Sequence, residues 1–170
     1  MASRSSLSKE SRLALNHITS FQLNISDAYL SMTFGYTDDL EVPYFIPFFE
    51  DQVKVKKEHA RQFIRFLKSS GAKISLPVIK RPDIQTWETG KPAIKTALDL
   101  EKQLDLLLKD LNTVAERNGE AEVNNFLREF LMKQKNNLSY LDFQLSYQQH
   151  IEEKAQEEAE AEAEAERQQQ

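Results

Sequence analysis

The sequence predicts an all-α fold, a four-helix bundle with a long crossover between the second and third helices. Three observations predict it. Four segments carry apolar residues at alternating spacings of three and four, the period of a helix with one buried face. Only four Gly and five Pro interrupt 170 residues, too few for a fold of short strands and turns. Residues 71–90 collect two of each and divide the four segments into two pairs.

In the first segment Leu15, Ile18, Gln22, Ile25, Tyr29 and Met32 share a face, which predicts a helix over 8–36. The turn TDDLEVP follows. A second helix is predicted over 43–70, with Phe45, Phe48, Phe49, Gln52, Lys56, His59, Phe63, Phe66 and Leu67 on its stripe. Pro43 and Pro47 sit near its start, where a missing N–H is cheapest. Gly71 is placed to cap its end.

The stretch GAKISLPVIKRPDIQTWETG reads as an extended crossover. A connection this long inside a compact domain needs a role. Carrying the chain from one end of the bundle to the other, so that consecutive helices run parallel, is such a role.

The third helix, predicted over 91–118, has Ile94, Ala97, Glu101, Leu104, Leu108, Leu111 and Ala115 on its stripe, and ERNG breaks it. The fourth, over 120–150, has Val123, Leu127, Phe130, Gln134, Leu138, Leu141 and Leu145. Residues 151–170 form an acidic, low-complexity tail without an apolar face. Ala and Glu favour helix, whereas dense like charge frays one. A solvated extension of the fourth helix and a disordered tail therefore stand as equal readings.

Composition narrows the function. The absence of Cys excludes disulfides and thiolate metal sites. No apolar run approaches a membrane span. The start, MASRSSLSKESR, is polar and lacks the apolar core of a secretory signal. Residues 1–7 are expected to form a disordered tail, and the protein to be cytoplasmic. The net charge of −5 is uneven: residues 152–170 hold eight Glu against Lys154 and Arg167, leaving 20 basic and 19 acidic residues elsewhere. So neutral a body gives no reason to expect nucleic acid as a partner.

Gln22, Tyr29, Lys56, His59, Glu101 and Gln134 interrupt the apolar stripes, each near the middle of its helix. In a bundle these positions meet at one level. A buried ion is costly unless paired, so Lys56 and Glu101 should find each other or water. One reading is a set of satisfied core polar groups, the usual fate of an inward His or Tyr. The other is a former metal site. Carboxylate-bridged di-iron bundles use a Glu-x-x-His pair; here its spacing survives as Lys56-x-x-His59. A Lys ammonium has no lone pair for a metal, and its charge repels Fe²⁺.

Several stretches then carry a family resemblance. DAYLSMTFGYTDDLEVP resembles the end of the first helix of ferritins and the turn after it. KKEHARQFIRFLKSSGAKISLPVIKRPDIQTWETG resembles the second helix and crossover, and KTALDLEKQLDLLLKDLNTVA the third helix. The likeness covers roughly residues 12–150, so the bundle over 8–150 is similar to a ferritin-like diiron domain.

The resemblance implies a site of carboxylates, a His, a Tyr and a Gln that oxidises Fe²⁺ in heavy-type subunits. Carried over, the carboxylate of the first helix becomes Gln22 and that of the second becomes Lys56, while Tyr29, His59 and Glu101 are kept. The Gln of the fourth helix falls on Lys135 without a gap and on Gln134 with one, the second register being preferred for its leucines. A Lys in the second helix is also how light-type subunits disable the site.

The resemblance also implies acids along a three-fold channel. They fall on Asn125 and Arg128, or on Asn124 and Leu127 with the gap. The mineral-nucleating acids fall on Val55, Glu58 and Arg61, and the fifth helix is absent, the acidic tail standing in its place.

The expectation is a non-catalytic subunit for iron storage and iron homeostasis, with no catalytic residues. Its iron would be stored or weakly bound ferric ion, with His59 and Glu101 as residual ligands. Other ferritin subunits would be its partners in a homo- or hetero-oligomer of up to a 24-subunit cage, with no nucleic acid and no membrane. The alternative is a ferritin-fold interaction protein that has left iron chemistry.

Overall fold

A computed structural model describes residues 7–34, 45–79 and 90–169. Among them stand four helices and no strand: α1 (Lys9–Phe34), α2 (Ile46–Ser69), α3 (Gly90–Arg117) and α4 (Ala121–Gln168). The turn TDDLEVP, Pro43 and the later part of the crossover lie outside the described residues. Leu7, assigned above to the tail, is half-buried against the core.

The ends of the helices follow from local chemistry. Ser8 caps α1, its Oγ accepting the Ser11 N–H at 3.1 Å. Pro47 sits in the first turn of α2, which starts at Ile46. Gly71 and Gly119 adopt positive φ of 69° and 67° just past α2 and α3. The Ala72 N–H reaches back to the Leu67 carbonyl at 3.0 Å and the Glu120 N–H to the Ala115 carbonyl at 2.8 Å. Both are Schellman closures that need a left-handed residue, which glycine supplies without strain.

Contacts set the helix directions. Ser26 on α1 donates to the Val53 carbonyl on α2 while Tyr29 meets Phe49, and Arg117 near the end of α3 pairs with Glu10 near the start of α1 while Glu101 meets Tyr29. On α2 and α4, Phe48 stacks on Tyr140 while Phe63 meets Phe126. Thus α2 runs antiparallel to both α1 and α4, and α3 runs antiparallel to α1. Consecutive helices α2 and α3 are therefore parallel, and the crossover spans the length of the bundle. Residues 72–79, its described part, have no regular structure. They are held to α1 by Asn16, whose amide donates to the Lys73 carbonyl and accepts the Ser75 N–H.

The apolar stripes meet along the bundle axis. Leu15, Ile18, Ile25 and Met32 face Phe49, Phe63 and Leu67, then Ile94, Leu104, Leu108 and Leu111, then Val123, Leu127 and Leu141. An aromatic seam joins α2 to α4, where Phe66 stacks on Phe126 at 4.3 Å and Phe63 packs edge-on against Phe130 at 4.9 Å. Among the described residues beyond Leu141 only Gln144 is buried, yet α4 continues as helix to Gln168 with residues 150–169 exposed. The helix thus passes the expected end at 150 without a break.

Candidate functional site

Four helices each bring a polar side chain to one level of the core. Tyr29 on α1, Lys56 on α2, Glu101 on α3 and Gln134 on α4 are all buried. Apolar neighbours on the same faces, Ile25 and Met32, Phe49 and Phe63, Leu104 and Leu108, and Leu127 and Phe130, are buried and carry these groups inward.

Glu101 is the hub. Lys56 Nζ donates to Glu101 Oε2 at 3.0 Å, and Tyr29 OH donates to Oε1 at 2.7 Å. Gln134 Nε2 donates to the Glu101 backbone carbonyl at 2.8 Å and also to Oε2. Both carboxylate oxygens therefore accept from protein donors. Lys56 and Glu101 are 1% and 0% exposed, so their pairing offsets a desolvation cost that neither could bear alone. Burial raises the Tyr29 pKa well above the usual phenol value, and the charge and hydrogen bond of Glu101 add to the rise. Tyr29 thus stays a donor.

His59 and Gln22 flank this network without joining it through hydrogen bonds. His59 stands edge-on to Phe130, ring centres 4.9 Å apart and planes at 88°. Burial lowers its pKa from 6.5 to about 4, and the charges of Lys56 and then Lys133 push the same way against Glu129 and Glu58. Its imidazole is neutral at pH 7. Gln22 is buried, and its side-chain oxygen accepts no hydrogen bond. Among the described residues, no three His, Asp or Glu side chains converge as a metal-binding group.

The structure separates the two registers of α4. Gln134 enters the core, whereas Lys135 is exposed. Nearer the helix start the exposed pair is Asn125 and Arg128, joined by a 3.3 Å hydrogen bond, while Leu127 is fully buried. On the outside of α2, Glu58 lies 3.5 Å from both Arg61 and Arg65.

A second polar cluster went unread in the sequence. Glu120, in the turn between α3 and α4, accepts from the Ser8 N–H at 3.0 Å, from Ser8 Oγ at 3.0 Å and from Ser11 Oγ at 2.6 Å. Burial raises its pKa, but the hydrogen bonds from Ser11, Ser8 and Asn118 outweigh that, and the net shift is downward. No local sequence signal marks this clamp, because its partners are more than 100 positions apart.

A family model described as "Ferritin-like domain" matches residues 12–151. The chain is 35% identical to a soma ferritin of Lymnaea stagnalis over 74% of its own length and 73% of the relative's. It is 31% identical to an oocyte isoform of ferritin light chain from Xenopus laevis, over 75% of this chain and 73% of the relative. It is 29% identical to a ferritin lower subunit from Aquarana catesbeiana, over 73% and 72% respectively. With four helices in ferritin topology and a family match across the whole bundle, this chain belongs to the ferritin family.

Proposed function

We propose that the chain is a non-catalytic ferritin-type subunit. It contributes to intracellular iron storage, ferric iron binding and iron homeostasis by co-assembling with active ferritin subunits in the cytoplasm. Residues 8–150 form the assembling bundle, and 151–170 act as a separate acidic extension.

The observation that supports this most is the state of Glu101. Lys56, Tyr29 and Gln134 already engage its two carboxylate oxygens. A ferrous ion entering here would have to displace an ammonium that repels it and can donate no lone pair. His59 and Glu101 are the residual donors, and two such groups cannot bridge two irons. The light-chain and lower-subunit relatives are consistent with this reading.

Aerobic Fe²⁺ added to the purified protein tests it. Oxidation should proceed no faster than in buffer, and the protein should retain iron on size exclusion only after assembly with an active ferritin subunit. A saturable oxidation rate from the chain alone would overturn the reading.

A second reading, a ferritin-fold interaction protein without iron, is favoured by one observation. Among Val55, Glu58 and Arg61 one acid remains, and two guanidinium groups flank it. That reading holds if mixed shells containing the chain retain no more iron than their active subunits alone.

A further inference from the structure

The outward face of α2 is cationic. Lys54, Lys57, Arg61, Arg65 and Lys68 are all exposed, at spacings of three, four, four and three that place them on one line along the helix. Between Lys54 and Lys68 the only acid is Glu58, shared by Arg61 and Arg65. Five exposed cations thus stand against one acid.

The extension of α4 is its opposite. Glu153, Glu157, Glu160 and Glu164 form one line at spacings of four, three and four, and Glu158, Glu162 and Glu166 form a second on the opposite side of the helix. All are exposed on continuous helix. The extension's cations are Lys154 and Arg167, the latter turned onto Glu164 at 3.4 Å. At 1.5 Å per residue the cationic line is about 21 Å long and the first anionic line about 16 Å. Two helices side by side can therefore match charges along most of their length.

The extension cannot reach α2 of its own chain. Phe48 lies level with Tyr140, Gln52 with Asn137 and Phe63 with Phe126. Lys54 is therefore level with Lys135, and Glu153 lies about 27 Å further along an unbroken helix, directed away from the bundle.

We propose that the cationic face of α2 is a docking surface for the acidic α4 extension of a second copy of this chain. The surface given differs from the surface received, so the contact serves both reciprocal exchange within a pair and head-to-tail addition of further copies. It is electrostatic and therefore weakens as salt rises. It goes beyond the subunit reading, for it requires neither iron nor a closed shell.

Sedimentation velocity of the full chain over a range of concentrations tests it, in low salt and at about 0.5 M salt, where the screening length falls to roughly 4 Å. The mean mass should climb with concentration in low salt, and the climb should vanish in high salt. Deleting 152–170 removes only exposed helix and should abolish it. The variant Lys57→Glu, Arg61→Glu, Arg65→Glu should do the same. Adding Glu157→Lys, Glu160→Lys and Glu164→Lys to that variant should restore it. Carbodiimide coupling of mixed heavy- and light-isotope chains should join Lys54, Lys57 or Lys68 of one copy to Glu153–Glu166 of another.

Association unchanged by the deletion and by the charge reversals would overturn the proposal. So would cross-links confined to single chains. Iron oxidation and retention are read separately from this association, so its failure stays distinguishable from failure of the subunit reading.

Discussion

Lys56 Nζ lies 3.0 Å from Glu101 Oε2, and water reaches neither side chain. The pair joins α2 to α3, which are parallel and linked by the long crossover. A cation thus stands buried in the core against the carboxylate of Glu101. The same contact cross-links the bundle.

Removing one partner leaves the other buried and alone. Glu101→Gln should cost about 3–5 kcal/mol in urea unfolding, whereas Lys56→Met with Glu101→Leu should be neutral or stabilising. Equal losses for the single and double variants would show that the two side chains do not interact.

Restoring carboxylates should restore chemistry. Lys56→Glu with Gln22→Glu adds two acids beside Glu101, His59 and Tyr29, and should yield Fe²⁺ oxidation above the buffer rate. Failure of a folded double variant to oxidise Fe²⁺ would show that the missing carboxylates at these two positions are not what keeps the site inactive.

His59 should make stability pH-dependent. Its folded pKa of about 4 lies below the ordinary 6.5, so the unfolded chain binds the proton more readily between these values. Stability is full above pH 6.5 and falls as pH drops toward 4. After allowance for partial exposure, the loss from pH 7 to pH 5 should be about 1 kcal/mol. His59→Gln should flatten this part of the unfolding-midpoint profile; an unchanged slope would locate the dependence elsewhere.

The Glu120 clamp ties the start of α1 to the turn before α4. Glu120→Ala removes three acceptor contacts to Ser8 and Ser11 and should cost about 1–3 kcal/mol. Hydrogen exchange should then speed up first at the beginning of α1. Uniform acceleration over all helices, or none, would mean that the clamp does not anchor that end.

Much of the candidate site was legible because a helix repeats every 3.6 residues. Gln22, Tyr29, Lys56, His59, Glu101 and Gln134 share stripes with leucines and phenylalanines, and all six are buried. The cationic line on α2 was equally periodic, but solvated charge on an outer face draws no notice until its counterpart is seen to be helical. The fate of the α4 extension was open because its helix propensity and its self-repulsion oppose each other. A helix already nucleated by packing at Val123–Leu141 can propagate without paying for a new nucleus.

By itself the sequence determined the four helices, their buried faces, the glycine closure at Gly71, the break at ERNG, and the long path between α2 and α3. These depend on residues within a few positions of one another, so periodicity and backbone preference suffice. Only the tertiary structure decided that Gln134 and not Lys135 meets Glu101, and that Tyr29 and Lys56 take one carboxylate oxygen each. It alone placed Glu120 against Ser8. Those contacts join residues from 33 to 112 positions apart, and their partners are chosen by how helices rotate and slide until apolar faces close. A half-turn of one helix would leave its periodicity unchanged and exchange every partner.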